Sequence, residues 1–136
     1  MGLDQSVYFI QTTEGLKDIY APDDPDLPEA LGELGENLSL RRVYSVQGFI
    51  SRMVKKRFPS TTIDLYGAYV RLYPEDVKEL YALTADPEKM VSLQKEWRET
   101  DTIYDSYDQE RDRNFCKDII REISFWDTAA YFSSDW

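Results

Sequence analysis

Short stretches rich in β-branched and aromatic residues recur along the chain, and part of them alternate apolar with polar positions, which predicts β-strands. The predicted strands cover residues 6–13, 40–46, 61–73 and 129–136. The second stretch could equally lead into the helix that follows it. The third could be a hairpin interrupted at Gly67, since glycine adopts turn conformations easily.

Apolar residues spaced three and four positions apart predict helices between these strands. The predicted helices cover residues 47–58, 74–84, 86–97 and 105–126. Pro59 ends the first, because the residue before a proline disfavours helical backbone angles. Pro74 suits the first position of the second helix, and Asp86 suits the cap of the third. Cys116 lies beside the apolar face of the longest helix, where we expect a buried structural thiol.

With residues 40–46 taken as the lead into the first helix, the predicted elements follow the order β-α-β-α-α-α-β, which indicates an α+β fold. We expect a small antiparallel or mixed sheet packed against three to four helices. The length of 136 residues and the hydrophobic content of 42% fit a single domain over residues 1–136. Residues 20–37 contain three prolines, two glycines and many acids. We therefore expect an acidic loop there, with one helical turn near residues 29–34.

The chain contains no histidine and one cysteine, which excludes several kinds of active site. Ser-His-Asp and Cys-His relays need an imidazole, and zinc sites built from cysteine and histidine need three or four ligands. Calcium loops need a central glycine among closely spaced acids, which neither residues 23–26 nor residues 101–112 provide. We expect no metal and no cofactor. Without a disulfide, a signal segment or a long apolar stretch, a cytoplasmic protein without membrane contact is expected.

The net charge of −10 is distributed unevenly along the chain. Residues 14–36 carry a local charge of −7, whereas residues 37–63 contain no acid and carry +6. The basic residues include a patch formed by Arg52, Lys55, Lys56 and Arg57. This basic patch could contact phosphates or an acidic partner, or it could pair with the acidic loop of the same chain or of a second copy. The overall negative charge makes direct nucleic-acid binding unfavourable.

Four aspartates follow steps of four, three and four residues towards and along the longest predicted helix. They are Asp101, Asp105, Asp108 and Asp112. If the helix begins early enough, the four carboxylates share one face with neighbours about 5–6 Å apart, close to the phosphate spacing of a nucleic-acid strand. Tyr104 and Tyr107 lie between them, and tyrosine is common at recognition surfaces. The pattern indicates either a partner-binding surface that imitates nucleic acid or an ordinary solvated helix face.

The two ends of the chain carry a family resemblance. Met1-Gly2-Leu3-Asp4 precedes an aromatic strand, and the chain closes with Tyr131-Phe132-Ser133-Ser134-Asp135-Trp136. In these features the chain resembles a group of small proteins encoded by phages and prophages. The helix starting at Pro74 and the segment Ile103-Tyr104-Asp105 are also similar to that group. The resemblance implies a phage setting, and therefore the cytoplasm of the host cell.

These observations favour an acidic, non-catalytic binding protein. We expect a phage-encoded inhibitor or modulator of a host nucleic-acid-handling protein, such as a defence protein, which presents a negative surface to a basic site. The expected partner-binding residues are the four aspartates and two tyrosines named above, together with Asp23, Asp24 and Asp26. Two alternatives remain open. One is a small enzyme that uses carboxylates and a tyrosine on a nucleotide-like substrate, and the other is a homo-oligomer held together by paired charges.

Overall fold

A computed structural model of the chain describes residues 2–11, 14–28, 31, 38–125 and 127–135. The chain divides into two compact units. Residues 1–42, 62–73 and 122–136 form the first, which we call the sheet unit. Residues 43–61 and 74–121 form the second, which we call the helical unit. A single domain over residues 1–136 stays a prediction.

The described part of the sheet unit contains one antiparallel sheet of five strands. The strands are β1 (Asp4–Ile10), β2 (Ile19–Tyr20), β3 (Leu38–Arg41), β4 (Tyr69–Leu72) and β5 (Ala129–Asp135). Their order across the sheet is β2-β4-β5-β1-β3, so the first and last strands of the chain are neighbours near its centre. They pair over seven residues, from Asp4 opposite Asp135 to Ile10 opposite Ala129.

Alternation along the strands gives the sheet two different faces. On one face Val7, Phe132 and Val70 lie in register across three strands and are fully buried. On the other face, part of the surface is a second apolar cluster. Its buried members are Ile10, Tyr20, Leu31, Ala129 and Tyr131. The remainder of that face is polar and forms the candidate site described below.

The strand predictions are confirmed at both ends of the chain and only in part between them. β1 and β5 match the predicted stretches 6–13 and 129–136, of which residues 12, 13 and 136 lie outside the described part. The prediction of a strand over residues 61–73 is too long, because β4 begins at Tyr69. Gly67 adopts a φ of +76°, which turns the backbone just before the strand. The helical turn predicted near residues 29–34 lies outside the described part apart from Leu31.

Four helices occur among the described residues, and together with the sheet they confirm the α+β class. They are α1 (Tyr44–Arg57), α2 (Pro74–Leu83), α3 (Pro87–Lys95) and α4 (Ser106–Phe125). The helix boundaries predicted at Pro59, Pro74 and Asp86 are confirmed. The carboxylate of Asp86 accepts a hydrogen bond of 3.3 Å from the backbone N–H of Lys89, which caps α3. No helix in the described ranges is long and apolar enough to cross a membrane.

The helical unit depends on a close approach between α1 and α3. Gly48 is buried in α1 beside Leu93 of α3. A Cβ atom at position 48 would lie 2.3 Å from the carbonyl oxygen of Leu93, which is shorter than van der Waals contact. Glycine at position 48 therefore allows the two helix backbones to touch, despite its low helix propensity.

We predict that Gly48→Ala destabilises the protein, although alanine ordinarily favours a helix by about 0.5–1 kcal/mol over glycine. The added methyl group must separate α1 from α3, which should lower the free energy of unfolding by about 1–3 kcal/mol. Urea unfolding measures this change. The control is Lys55→Ala, at an exposed position of the same helix, which should change stability by less than about 0.5 kcal/mol. Equal or greater stability of Gly48→Ala would contradict the close approach.

Candidate functional site

The four aspartates of the predicted partner-binding surface, which we call the acidic ridge, do not share a helix face. Because α4 begins at Ser106, Asp101 and Asp105 precede the helix. Asp105 and Asp108 instead hold its first turn, since each carboxylate accepts a 3.0 Å hydrogen bond from the backbone N–H of the other. The bond from the Asp108 N–H keeps the pKa of Asp105 below its ordinary value. These two acids therefore act as a local helix cap.

Asp112, the last of the four, is fully buried in the helical unit. Its carboxylate accepts hydrogen bonds from the Ser45 hydroxyl at 2.7 Å and the Tyr104 hydroxyl at 2.8 Å. Nε of Arg111 donates a third at 3.0 Å, and the same guanidinium reaches Asp108 at 3.1 Å. Burial and the negative charge of Asp112 raise the pKa of Tyr104. The ridge hypothesis is wrong in its geometry, because two of the four residues precede the helix, Asp112 is buried, and Asp105 and Asp108 bind each other's backbone.

Asp101, Tyr104 and Tyr107, which were expected to contribute to the acidic ridge, differ in their burial. Burial and the nearby charge of Asp108 raise the pKa of Asp101, which is half-buried. Tyr107 is 73% exposed, whereas Tyr104 is buried. The structure therefore leaves Tyr107 as the exposed aromatic residue of this segment, without a row of carboxylates beside it.

The three aspartates of the predicted acidic loop lie in the sheet unit and have different surroundings. Lys17 Nζ bridges Asp24 and Asp26 at 3.0 and 3.1 Å. The backbone N–H of Asp26 also donates to Asp24, and with the lysine it lowers the pKa of Asp24. Asp23 is exposed and makes no ion pair with another described residue. Two of the three carboxylates are therefore partly neutralised within their own loop.

The basic patch is divided between paired and exposed side chains. Arg52 binds Glu96 at 2.6 Å, and Arg57 binds Asp76 at 2.5 Å, so both pair with acids of the helical unit. Lys55 and Lys56 are exposed on α1. Basic side chains in the last turn of a helix also complement its dipole.

The negative charge of the protein belongs almost entirely to one unit. The segments of the sheet unit contain 13 acidic and four basic residues, a net charge of −9. Those of the helical unit contain 13 acidic and 12 basic residues, a net charge of −1. A negative surface that attracts a basic partner is therefore expected on the sheet unit.

The polar part of the sheet face forms a depression of about 440 Å³, which we call the polar trough. Its lining includes Asp4, Ser6, Tyr8, Tyr66, Tyr69, Ser133 and Asp135. The strand register creates it, because Ser6 lies opposite Ser133, and Ser133 lies opposite Tyr69. Small serine side chains make a low floor beside larger tyrosines. Neither serine hydroxyl bonds to another side chain in the described part of the chain.

One wall of the polar trough is aromatic. The rings of Tyr8 and Tyr69 meet edge to face, with centroids 5.6 Å apart and planes at 64°. Burial and the neighbouring Tyr8 raise the pKa of Tyr69, so its hydroxyl stays protonated and can donate a hydrogen bond. The ring faces and hydroxyls together can receive a group that is apolar in its body and cationic or polar at its tip.

The opposite end of the polar trough is acidic. Asp4 and Asp135 lie directly across from each other on β1 and β5. Like charges in this position disfavour the strand pairing unless a cation lies nearby. Arg41 is such a cation, but its interaction with Asp4 is weak, because its Nε lies 3.8 Å from the carboxylate and both side chains are at least 70% exposed. The end of the trough is thus suited to a further positive group.

None of these residues was predicted to form a site, although most of them lie on the two strands predicted at the ends of the chain. The available signal was the polar character of alternate positions, Asp4 and Ser6 in β1 and Ser133 and Asp135 in β5. That signal marks a solvated face in any strand. The two sets become one site through the pairing of β1 with β5.

The described residues include no group of three or more acids, cysteines or histidines that could hold a metal ion. No protein-family model, curated protein or solved structure matches this chain. The resemblance to phage and prophage proteins therefore stays a prediction from the sequence.

We predict that Asp112→Ala lowers the free energy of unfolding by about 3 kcal/mol, because it leaves two buried hydroxyls without their acceptor and removes one of the two acidic partners of Arg111. Urea unfolding provides the measurement. Asp118→Ala is the control, since Asp118 lies on the same helix in a largely exposed pair with Arg121 and should cost less than about 1 kcal/mol. Similar losses for both variants would contradict the buried role of Asp112.

Cys116 is confirmed as a buried thiol, with 1% of its surface exposed. Burial, with a smaller contribution from the charge of Asp112, raises its pKa from the ordinary 9.0 to about 12. The folded thiol therefore stays protonated at pH values where an unfolded one has ionised. A protonated, inaccessible thiol is a poor nucleophile.

We predict that Cys116 resists a thiol reagent such as dithionitrobenzoate at pH 8 and reacts when urea unfolds the chain. Above pH 9 the unfolded state releases the thiol proton and the folded state retains it, so stability should fall as pH rises towards 12. This contribution is at most about 1.4 kcal/mol per pH unit. Cys116→Ala should have a shallower pH dependence than the unchanged protein. Rapid labelling of the folded protein, or equal slopes, would contradict the prediction.

Proposed function

We propose that this chain is a non-catalytic binding protein whose polar trough receives a basic segment of a partner protein. The observation that carries the proposal is the coincidence of two features in the sheet unit. The unit has a net charge of −9, and its open sheet face combines tyrosines with a facing pair of aspartates.

The charge supports a positive partner at long range. A net charge of −9 on one unit attracts basic surfaces and accelerates their encounter, more strongly at low salt. Because the helical unit is nearly neutral, this attraction orients a partner towards the sheet unit. Charge of this kind contributes mainly to encounter rate and orientation.

The side chains support the same partner at short range. An arginine or lysine side chain can place its charged tip near Asp4 and Asp135 and its aliphatic stem against Tyr8 or Tyr69. The serine floor lets the partner backbone approach the sheet and hydrogen-bond to the hydroxyls. Tyrosine supplies contact area with little loss of side-chain entropy, which favours affinity.

The partner class that fits best is a protein that itself handles nucleic acid, since such proteins have basic surfaces for binding phosphates. A phage-encoded modulator of a host protein of this class remains our functional proposal. Its proposed contact surface is the polar trough, in place of Asp101, Asp105, Asp108 and Asp112. We assign no catalytic role to the Tyr104–Asp112 pair, because both side chains are buried. The charge-paired homo-oligomer stays a prediction.

We predict that the chain binds a fluorescein-labelled arginine-rich peptide more tightly than a glutamate-rich peptide of equal length, and that added salt weakens this binding. The double variant Asp4→Asn/Asp135→Asn should weaken binding by at least about fivefold, since it removes the charges that hold the cationic tip. Fluorescence anisotropy gives the affinities. Amide shifts in NMR spectra should concentrate at β1, β5 and residues 66–69.

A matched control separates the site from the overall charge. Glu99→Gln/Glu110→Gln removes the same two charges from exposed positions of the helical unit and should change affinity by less than about twofold. Equal weakening by the two double variants would show general charge attraction and reject the trough. Shifts centred on α4 would reject it as well.

A further inference from the structure

The helical unit contains a separate groove that the proposed function does not use. It has a volume of about 570 Å³ and is bordered by α1, α2 and the Leu93 region of α3. Its apolar surface comes from Phe49, Met53, Leu83 and Leu93. Cavities of about 300–1,000 Å³ with an apolar lining and a few polar groups are typical of small-molecule sites.

The α1 wall of the groove has three basic side chains, two of which are already paired with acids. Arg52, Lys56 and Arg57 all border it. Arg52 is fixed by Glu96 at 2.6 Å and by the Ser92 hydroxyl at 3.1 Å, and Arg57 is fixed by Asp76. Arginines held by neighbours lose little further side-chain entropy when they meet a ligand. Lys56 is exposed and forms no ion pair with the described residues, so its ammonium group is available.

A concentration of basic residues beside a groove is unusual in this acidic protein. The lining contains three cations and two carboxylates, Asp76 and Glu79, in a protein whose net charge is −10. Asp76 is already paired with Arg57, so Glu79 is the carboxylate left to oppose an anion. Helix polarity alone favours basic residues near the end of α1, but it does not place them beside an apolar cavity.

We propose that this groove binds a free amphipathic organic anion, with its apolar body on the floor and its carboxylate or sulfonate against the α1 wall. Apolar burial supplies most of the affinity. Lys56, which forms no ion pair with a described residue, selects the charge of the head group, and the two paired arginines can donate further hydrogen bonds to it. Glu79 lowers the affinity from the opposite wall. The site is independent of the polar trough, so either proposal can fail without the other.

The first test is a titration with anilinonaphthalene sulfonate, an aromatic anion that fluoresces in apolar surroundings. We expect saturable binding to the folded protein with a dissociation constant on the order of 10–100 µM. Decanoate below its micellar concentration should displace the dye, whereas decyltrimethylammonium, with the same chain length and opposite charge, should not. Equal displacement by both would show apolar contact alone and would overturn the proposal.

Three single variants provide the decisive comparison. Lys56→Met should raise the dissociation constant of the dye about threefold or more, whereas Lys55→Met should leave it unchanged, since Lys55 does not line the groove. Both variants alter the net charge equally, and the two lysines are adjacent in the sequence of α1. Glu79→Gln should lower the dissociation constant. Equal effects of the two lysine variants, or weaker binding by Glu79→Gln, would overturn the proposal.

A final arm distinguishes a free ligand from a membrane surface. Phosphatidylglycerol vesicles should bind the protein no better than phosphatidylcholine vesicles at physiological salt, because one groove lysine and two fixed arginines are a small target for a charged surface. If more protein sedimented with the anionic vesicles, and Lys55→Met and Lys56→Met reduced this binding equally, these cations would belong to a membrane-binding surface. That result would overturn the proposal of a free ligand.

Discussion

The pairing of β1 with β5 is the interaction on which the sheet unit depends. Seven residue pairs join strands separated by more than 100 residues of sequence, and they place the first and last strands next to each other. This pairing creates both faces of the sheet. It aligns Val7 with Phe132 on the buried face and Ser6 with Ser133 on the polar one. A shift of one residue would exchange the two faces, so the buried side fixes the register of the polar trough.

The distribution of the acids shows why net charge alone does not locate a functional surface. The two units contain equal numbers of acidic residues, but the helical unit balances nearly all of them with arginines and lysines. Three of its acids have local structural roles, since Asp105 and Asp108 cap a helix and Asp112 is the centre of a buried network. The sheet unit lacks this compensation. In our proposal, the unbalanced carboxylates of the sheet unit attract a basic partner.

The sequence predicts the features of the fold that depend on neighbouring residues. The helix boundaries at Pro59, Pro74 and Asp86 are local, and they are confirmed. The burial of Asp112 cannot be predicted from neighbouring residues, because Ser45, which donates a hydrogen bond to it, lies 67 residues away in the sequence. A periodic row of acids looks the same in sequence whether it faces solvent or an internal hydroxyl. The polar trough was likewise beyond reach, since its two acids come from opposite ends of the sequence and meet through the strand register.

The central position of β5 has a consequence for how the chain acquires its structure during synthesis. All segments of the helical unit leave the ribosome before β5 does, whereas the middle of the sheet stays open until β5 arrives. Contacts that span most of a chain form late and slow folding. Until then, β1 and β4 have exposed edges that can pair with other chains. The nascent protein is therefore most prone to aggregation before β5 has emerged, when the helical unit is complete and the sheet still lacks its central strand.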